Sequence, residues 1–380
     1  MSDRFETFLS TSRWASAIVA LMYHVRFLLF VDYDAVSGKT SVSNAFYFLT
    51  GLGHESFTVF FVLDGIVAGL ILLHHPRRSL ENRADVAQHL GSLYRILVPG
   101  LILGASFDFT GVHLFNCSGL YTAFPKFSTL TLSYSSLLGN VLMLQPFVVP
   151  TFGSNGMLYL LSYLFWYFVV LYVFTRAAEL RNPYGLLGRG ALCVLLVILV
   201  LVAPYEFLLW ATIWLSGIAV VFLGEARQFR PPVLAATAVF AAAIVLSRLV
   251  GSNTGLLPQP LGHWLVEGKY WLVSAGFAAV AWALYPKPVQ VRNERGLAQI
   301  DWMHLGRAGQ FASFTFFFHF PVIMLLVGLV STLLDQPLMQ QPAPLRYIEF
   351  ACVVGASVGV TSIIMRWGRR RVTGRLPKMA

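Results

Sequence analysis

The chain has 380 residues and a formal net charge of +10, with 57% apolar residues and only 12% charged residues. A soluble domain usually has about 45–50% apolar and about 25% charged residues. The chain therefore has too few charged side chains to cover a water-exposed surface of its size. This excludes an ordinary soluble enzyme, a disordered chain and a small secreted scaffold. Together with a mean hydropathy of +0.69, it predicts an all-α, polytopic integral membrane protein.

Apolar stretches of membrane-spanning length recur along the chain. A bilayer core about 30 Å thick requires roughly 20 mostly apolar residues per helix. We predict ten transmembrane helices, approximately at residues 14–31, 57–73, 93–106, 157–175, 190–203, 207–223, 232–250, 270–285, 308–334 and 347–366. All of them are taken as parts of one transmembrane domain, 1–380. The apolar stretch 107–156 is broken by prolines and glycines, so we interpret it as an external or re-entrant segment covered by protein.

The basic residues are concentrated on one side of the membrane in this predicted topology. With the N-terminus in the cytoplasm, 21 of the 27 Lys and Arg residues fall in cytoplasmic segments and four in the opposite loops, while Arg26 and Arg248 lie within spans. Such a bias follows the positive-inside rule and predicts that both termini are cytoplasmic. Residues 367–380 are then a basic cytoplasmic tail, and the arginines at the end of the last helix anchor it at anionic membrane lipid. We expect no nucleic-acid partner, because no soluble basic face exists to bind one.

The first predicted span contains two ionisable residues on one face. Arg13 and His24 are eleven residues apart, which is about 20° past three full helical turns and about 16 Å along the axis. Arg13 is expected at the cytoplasmic mouth, where a guanidinium suits an anionic ligand such as a phosphate. His24 is expected near the membrane middle, where an imidazole suits proton transfer. The alternative is an anchoring arginine and a histidine that is hydrogen-bonded within the bundle.

Other ionisable residues also fall within or beside predicted spans, where they are functional candidates by default. Asp64 in the second span could orient His24 or accept a proton, or it could be a structural hydrogen-bond partner. His54 and Glu55 precede it at the external end. In the ninth span, His319 stands in an aromatic sequence before a proline, which is more typical of packing than of catalysis. No metal-ligand spacing occurs, so we expect no metal.

Several motifs, in order, resemble the membrane-bound acyltransferase family 3. The first is Arg-x10-His, from Arg13 to His24, and the second, Gly53 to Gly65, is similar to the family segment "GHxxVxxFFVLSG". Tyr94-Arg95 ahead of a proline resembles the start of the family's third span. Residues 139–145, and then 152–156 with Asn155, resemble its external segment, and residues 318–321 resemble its late "LHxP" motif.

The resemblance implies acyl transfer, usually of acetyl, from cytoplasmic acyl-CoA to a hydroxyl of a carbohydrate or lipid-linked glycan. The location implied is the bacterial inner membrane. His24, Arg13 and Asp64 would be catalytic, with His24 acting as a general base or as a transient acyl carrier. Arg13, Arg95 and Tyr94 would bind the acetyl-CoA co-substrate. The acceptor would be bound by the external or late-motif residues His54, Glu55, Asn155 and His319.

The chain also departs from the family pattern. Asp64 replaces the serine of "LSG", and Tyr159 and Leu164 replace the tryptophan and the acid of "WSLxYEFWYY". Losing that acid bears on acceptor binding and on activity. Two alternatives therefore stay open: a catalytically inactive relative, and a proton-coupled transporter or flippase for a glycan or small anion that uses the same intramembrane residues.

Overall fold

The protein is all-α throughout the residues that the computed structural model describes, and no β-strand occurs among them. Those residues are 3–74, 80–124, 130–145, 147–178, 203–226, 229–253, 261–286 and 306–373, with scattered helical positions between 187 and 201. The predicted span 190–203 therefore falls mostly outside the described residues, as do residues 374–380 of the predicted tail.

In chain order the helices are α1 Asp3–Leu29, α2 Ser41–Thr50, α3 Gly53–His74, α4 Leu80–Leu114, α5 Tyr134–Val141, α6 Leu158–Ala178, α7 Tyr205–Ala226, α8 Val233–Asn253, α9 Leu261–Leu284, α10 Gly306–Leu334 and α11 Pro344–Thr373.

Seven helical segments within the described residues are long and apolar enough to cross a membrane. The chain is therefore a multi-pass membrane protein. The segments are Ser41–Ile71, Val86–Leu114, Leu158–Thr175, Tyr205–Ala226, Val233–Val250, Phe311–Leu334 and Pro344–Arg366.

Several helices are longer than the hydropathy pattern predicts. The third predicted span, 93–106, belongs to the 35-residue helix α4, which contains Pro99 and continues to Leu114. Helix α1 begins at Asp3, ten residues before Arg13. Polar turns at helix ends lower the hydropathy without ending the helix, and an internal proline is tolerated where neighbouring helices cover the backbone.

The segment from Ser41 to Ile71, which contains α2 and most of α3, lies at the centre of the bundle. In its most apolar window 94% of the residues are buried, against 17% for α8 and 22% for α11, which lie at the periphery. Helix α1 packs against α3 and α10, and α10 also packs against α4 and α11. Helices α1, α3 and α10 therefore enclose the interior where the ionisable residues lie.

Two glycines allow α3 and α7 to touch through their backbones. A Cβ atom on Gly65 would lie 2.0 Å from the carbonyl oxygen of Trp214, and one on Gly217 would lie 2.1 Å from that of Val62. Only glycine fits at such a crossing. The two backbones therefore approach closely at Gly65, and this crossing brings Trp214 next to Asp64.

The segment between α4 and α6 folds back on the bundle. The side chain of Asn140 accepts hydrogen bonds from the Phe152 amide and from Gln145 Nε2, and it donates to the Pro150 carbonyl 2.9 Å away. The carboxylate of Asp108 on α4 accepts hydrogen bonds from the amide and hydroxyl of Ser154, at 2.7 and 2.5 Å. These bonds satisfy the irregular backbone of the segment and fix residues 152–156 over the interior of the bundle.

Candidate active site

Two histidines from distant parts of the chain meet between α1 and α10. Nδ1 of His24 lies 2.8 Å from Nε2 of His319, and the two ring centroids are 5.0 Å apart. His319 is fully buried, whereas His24 is only half-buried. His319 therefore has a polar partner, and packing among aromatic residues does not by itself describe its role.

When both histidines are neutral, their hydrogen bonds determine which ring nitrogen of each one carries the proton. Nδ1 of His319 lies 2.9 Å from the carbonyl oxygen of Thr315, one turn earlier on α10. A carbonyl only accepts, so His319 carries its proton on Nδ1, and its Nε2 has a lone pair. Nε2 of His319 therefore accepts the Nδ1 proton of His24, an assignment that follows from the hydrogen-bond network. This leaves Nε2 of His24 as the basic nitrogen of the pair.

Aromatic rings hold the His24 imidazole in place. Phe57 stacks on it at a centroid distance of 6.0 Å, and the Phe320 ring meets it edge-on at 5.0 Å. The ring of Tyr23 lies 5.1 Å away on another side and also contacts His54 at 5.6 Å. An imidazole that is clamped in this way is pre-oriented for proton transfer.

A second polar cluster is centred on Arg13 and Asp64. Arg13 is 1% exposed and Asp64 is 2% exposed. The Arg13 guanidinium lies over the Phe60 ring, 5.4 Å from its centroid, and interacts electrostatically with Asp64. An Asp64 carboxylate oxygen accepts a 2.9 Å hydrogen bond from Trp214 Nε1.

This cluster differs from the sequence-based expectation in two respects. Arg13 does not lie at an open mouth, because α1 continues ten residues towards the N-terminus and neighbouring helices cover the guanidinium. Asp64 hydrogen-bonds Trp214, while the nitrogen that would need orienting, Nδ1 of His24, is bonded to His319. The structural alternative for Asp64 is therefore the better description, with a charge role towards Arg13 in addition.

His89 on α4 joins the second cluster, and the sequence analysis missed it. Its imidazole is 3% exposed and interacts electrostatically with both Asp64 and Arg13. Neither ring nitrogen has a hydrogen-bond partner among the described residues. His89, Leu93 and Ile96 follow the i, i+4, i+7 pattern of a buried helix stripe, and that periodicity was the signal that could have revealed it.

Asn155 lies beside α4 and α10 with an amide that has no partner among the described residues. The side chain is 1% exposed, and both its oxygen and its nitrogen lack hydrogen bonds there. A Cβ atom on Gly104 would lie 3.8 Å from both Asn155 Cβ and Pro321 Cγ, which places the amide near the turn that follows His319. Because an unsatisfied buried amide is unfavourable, this side chain is a candidate for contacting a polar ligand.

The remaining predicted site residues are spread along α3 and α4. His54 is exposed and its ring faces that of Tyr270, while Glu55 is buried and accepts a 2.6 Å hydrogen bond from Ser247. Tyr94 is half-buried, and Arg95 is exposed on α4. Six residues separate Arg95 from His89, which places Arg95 about 120° away from the buried stripe of α4. The structure thus does not place Arg95 with Arg13.

Among the described residues, no three His, Cys, Asp or Glu side chains lie close enough to bind one metal ion. Comparisons with known proteins do not add to this description of the site. No protein-family model matches the chain, and the searches of curated proteins and of solved structures found no significant match.

Proposed function

We propose that the protein is an integral membrane O-acyltransferase that moves an acyl group, such as acetyl, from cytoplasmic acyl-CoA to a hydroxyl of a carbohydrate. The proposal includes a relationship to the membrane-bound acyltransferase family 3, ten spans, cytoplasmic termini and a location in a bacterial inner membrane. The charge distribution supports the orientation. The hydrogen bond between His24 Nδ1 and His319 Nε2, at 2.8 Å, is the observation that carries the proposed chemistry.

In this reaction Nε2 of His24 acts as the general base. It takes the proton of the acceptor hydroxyl while the hydroxyl oxygen attacks the thioester carbonyl carbon. The carbon–sulfur bond then breaks, and the coenzyme A thiolate leaves and takes up the proton from the His24 imidazolium. The Nδ1 hydrogen bond to His319 stabilises that imidazolium, as the orienting partner of a catalytic histidine does in other acyl-transfer enzymes.

The Arg13 cluster is proposed as the donor end of the site. Arg13 and His24 lie on the same continuous helix α1, about 16 Å apart along the axis. A donor with an anionic end towards Arg13 and a thioester towards His24 would span this distance. Asp64 and His89 would then set the charge that surrounds Arg13.

Proton-coupled transport is the second candidate, because the same histidine pair could carry protons. The hydrogen bond between His319 and His24 suits proton transfer within a membrane as well as it suits catalysis. The two candidates differ in their need for coenzyme A.

A labelled-donor assay separates them. Membranes containing the protein are incubated with radiolabelled acetyl-CoA, and the label in extracted glycan is counted. Acyl transfer predicts labelled glycan with the wild type and background label with His24→Ala. Movement of glycan across the membrane that does not depend on acetyl-CoA would instead support the transporter and contradict the acyltransferase.

The control variant is His113→Ala. His113 is an exposed histidine whose Nδ1 bonds only to the backbone of its own helix, 2.8 Å from the Phe109 carbonyl. It should retain wild-type transfer. The natural acceptor can be found by comparing the glycan masses of a deletion strain with those of its parent, because the missing acyl mass identifies both substrates.

A further inference from the structure

A cavity of about 440 Å³ lies at the end of the bundle that the charge distribution predicts to be extracytoplasmic. It lies between the end of α1, the helix α2 and the end of α8, and its lining includes Arg26, Arg248, Asp32, Tyr47 and Asn44. Its volume falls within the range of roughly 300–1,000 Å³ that is typical of small-molecule sites.

The cavity brings together the two arginines that lie outside every predicted loop. Arg26 and Arg248 are the two basic residues within predicted spans. Placing a cation within a membrane span is unfavourable without a function or a partner. Two helices that are far apart in the sequence bring both guanidinium groups to one cavity, although the positive-inside bias should select against them on this side of the membrane.

Both arginines are held in fixed positions. The Arg26 guanidinium lies between the rings of Tyr23 and Tyr47, at 5.5 and 5.2 Å from their centroids, and its Nε is buried with no hydrogen-bond partner among the described residues. Arg248 donates a 3.0 Å hydrogen bond to the Gly51 carbonyl. A Cβ atom on Gly51 would lie 2.2 Å from Arg248 Nη2, so this arrangement requires glycine there. Fixed planar guanidinium groups favour bidentate binding of carboxylate or phosphate.

The rest of the lining suits a ligand with several hydroxyl groups. The Asp34 carboxylate accepts hydrogen bonds and the amide of Asn44 donates them, while Asp32 interacts electrostatically with Arg26. Asn44 Oδ1 already accepts the Tyr33 hydroxyl at 3.0 Å, so its Nδ2 protons are the groups directed to a ligand. The rings of Tyr33 and Tyr47, 5.5 Å apart, add apolar surface for the C–H face of a sugar ring.

From these contacts we propose that the cavity binds one acidic sugar unit, carrying a carboxylate or a phosphate, of the acceptor glycan. The glycan part of this proposal rests on the proposed function. Arg26 follows His24 by two residues, which is about 3 Å along α1 and about 200° around it. Because 200° puts the Arg26 side chain on the opposite side of α1 from that of His24, the cavity binds a sugar unit other than the one that is acylated. Tyr23, whose ring contacts both His24 and Arg26, lies between the two sites.

Binding is tested by saturation-transfer NMR on the protein in nanodiscs, without acyl-CoA. The observed probes are glucuronate, glucose 6-phosphate and glucose, and inorganic phosphate, which has no carbon-bound protons, is measured by its competition with glucose 6-phosphate. We expect the two acidic sugars to bind at least about tenfold more tightly than glucose, because each charge-assisted pair contributes roughly that much. The tighter of the two identifies the acidic group.

Two substitutions test the site itself. Arg26→Gln should weaken acidic-sugar binding about tenfold. Asn44→Asp should do the same while it keeps the acceptor for Tyr33, and because Asn44 is exposed it leaves folding intact. Arg346→Gln is the matched control, since Arg346 hydrogen-bonds Glu349 at 2.6 Å and is not part of the lining.

Four outcomes would overturn the proposal: no binding of any probe, equal binding of glucose, phosphate binding as tight as that of glucose 6-phosphate, or acidic-sugar binding unchanged in Asn44→Asp. His24→Ala should keep its sugar binding. A failure of acyl transfer with binding retained would thus refute the proposed function alone.

Discussion

The two polar regions along α1 solve the problem of a buried ionisable group in different ways. His24 and His319 are connected by a directed hydrogen bond, and His24, the residue with the basic nitrogen, is half-buried. Arg13 and Asp64 are almost fully buried and interact as opposite charges. The first arrangement suits a reacting group, which must meet a substrate. The second suits a group that stabilises charge or fixes helices. Substitutions should therefore affect mainly kcat in the first region, and stability and the KM for the donor in the second.

The largest effect is expected at His24. His24→Ala should lower kcat of acyl transfer by about 10²–10⁴-fold, the range for loss of a general base. The thermal unfolding midpoint should fall as well, because the variant removes a ring packed against Phe57 and Phe320 and leaves Nε2 of His319 without its donor, but the fold should be retained. Transfer kinetics and thermal unfolding are measured on the same purified preparation. Normal transfer by His24→Ala would remove the residue from the mechanism.

The Arg13 region is tested by a double-mutant cycle. Arg13→Gln and Asp64→Asn should each lower the free energy of unfolding by about 3 kcal/mol, because each leaves the other charge buried without its opposite. The double variant should lose less than the sum. Chemical unfolding in detergent micelles measures all four proteins. Additive losses would show that the two charges do not stabilise each other.

His319 is expected to act through His24. His319→Ala should lower kcat about 10-fold to 100-fold and move the acid limb of the pH–rate profile, because Nδ1–H of His24 loses its acceptor. His319→Gln keeps an acceptor oxygen near the position of Nε2 and should recover part of the rate and the wild-type profile. Equal rates and an unshifted pH profile in both variants would reduce His319 to a packing residue.

The smallest effect is expected at Arg95. It is exposed on α4, away from the buried stripe that contains His89. Arg95→Gln should change KM for acetyl-CoA by less than about threefold, as is usual for an exposed charge, whereas Arg13→Gln should raise it more. Steady-state kinetics at varied acetyl-CoA measure both. A larger KM effect from Arg95→Gln would place the donor at the surface of α4.

The sequence predicts well those features that depend on the geometry of a single helix. Apolar run lengths indicate a helical membrane protein, and the eleven-residue spacing indicates that Arg13 and His24 share a helix. Both follow from the geometry of a single helix. Helix ends are less well predicted, as α1 and α4 illustrate, because polar turns at their ends continue the helix without raising the hydropathy.

The side-chain hydrogen-bond partners of these residues could not be predicted in the same way. The hydrogen bonds of His24 to His319 and of Asp64 to Trp214 join residues far apart in the chain, and they depend on which helices pack together. The periodicity of α4 marks His89 as buried, but it does not show that Arg13 and Asp64, on two other helices, lie beside it. The cavity at Arg26 and Arg248 likewise forms only when α1 and α8 meet.

The central claim is that His24 and His319 form a neutral pair in which Nε2 of His24 is the base. Solid-state NMR of the protein with ¹⁵N-labelled histidine, assigned with His24→Ala and His319→Ala, measures the protonation of each ring nitrogen directly. We predict a proton on Nδ1 of both rings, with an N–H···N coupling from His24 to His319 and an unprotonated Nε2 on His24. A proton on Nε2 of His24 at neutral pH, or no coupling between the two rings, would contradict it.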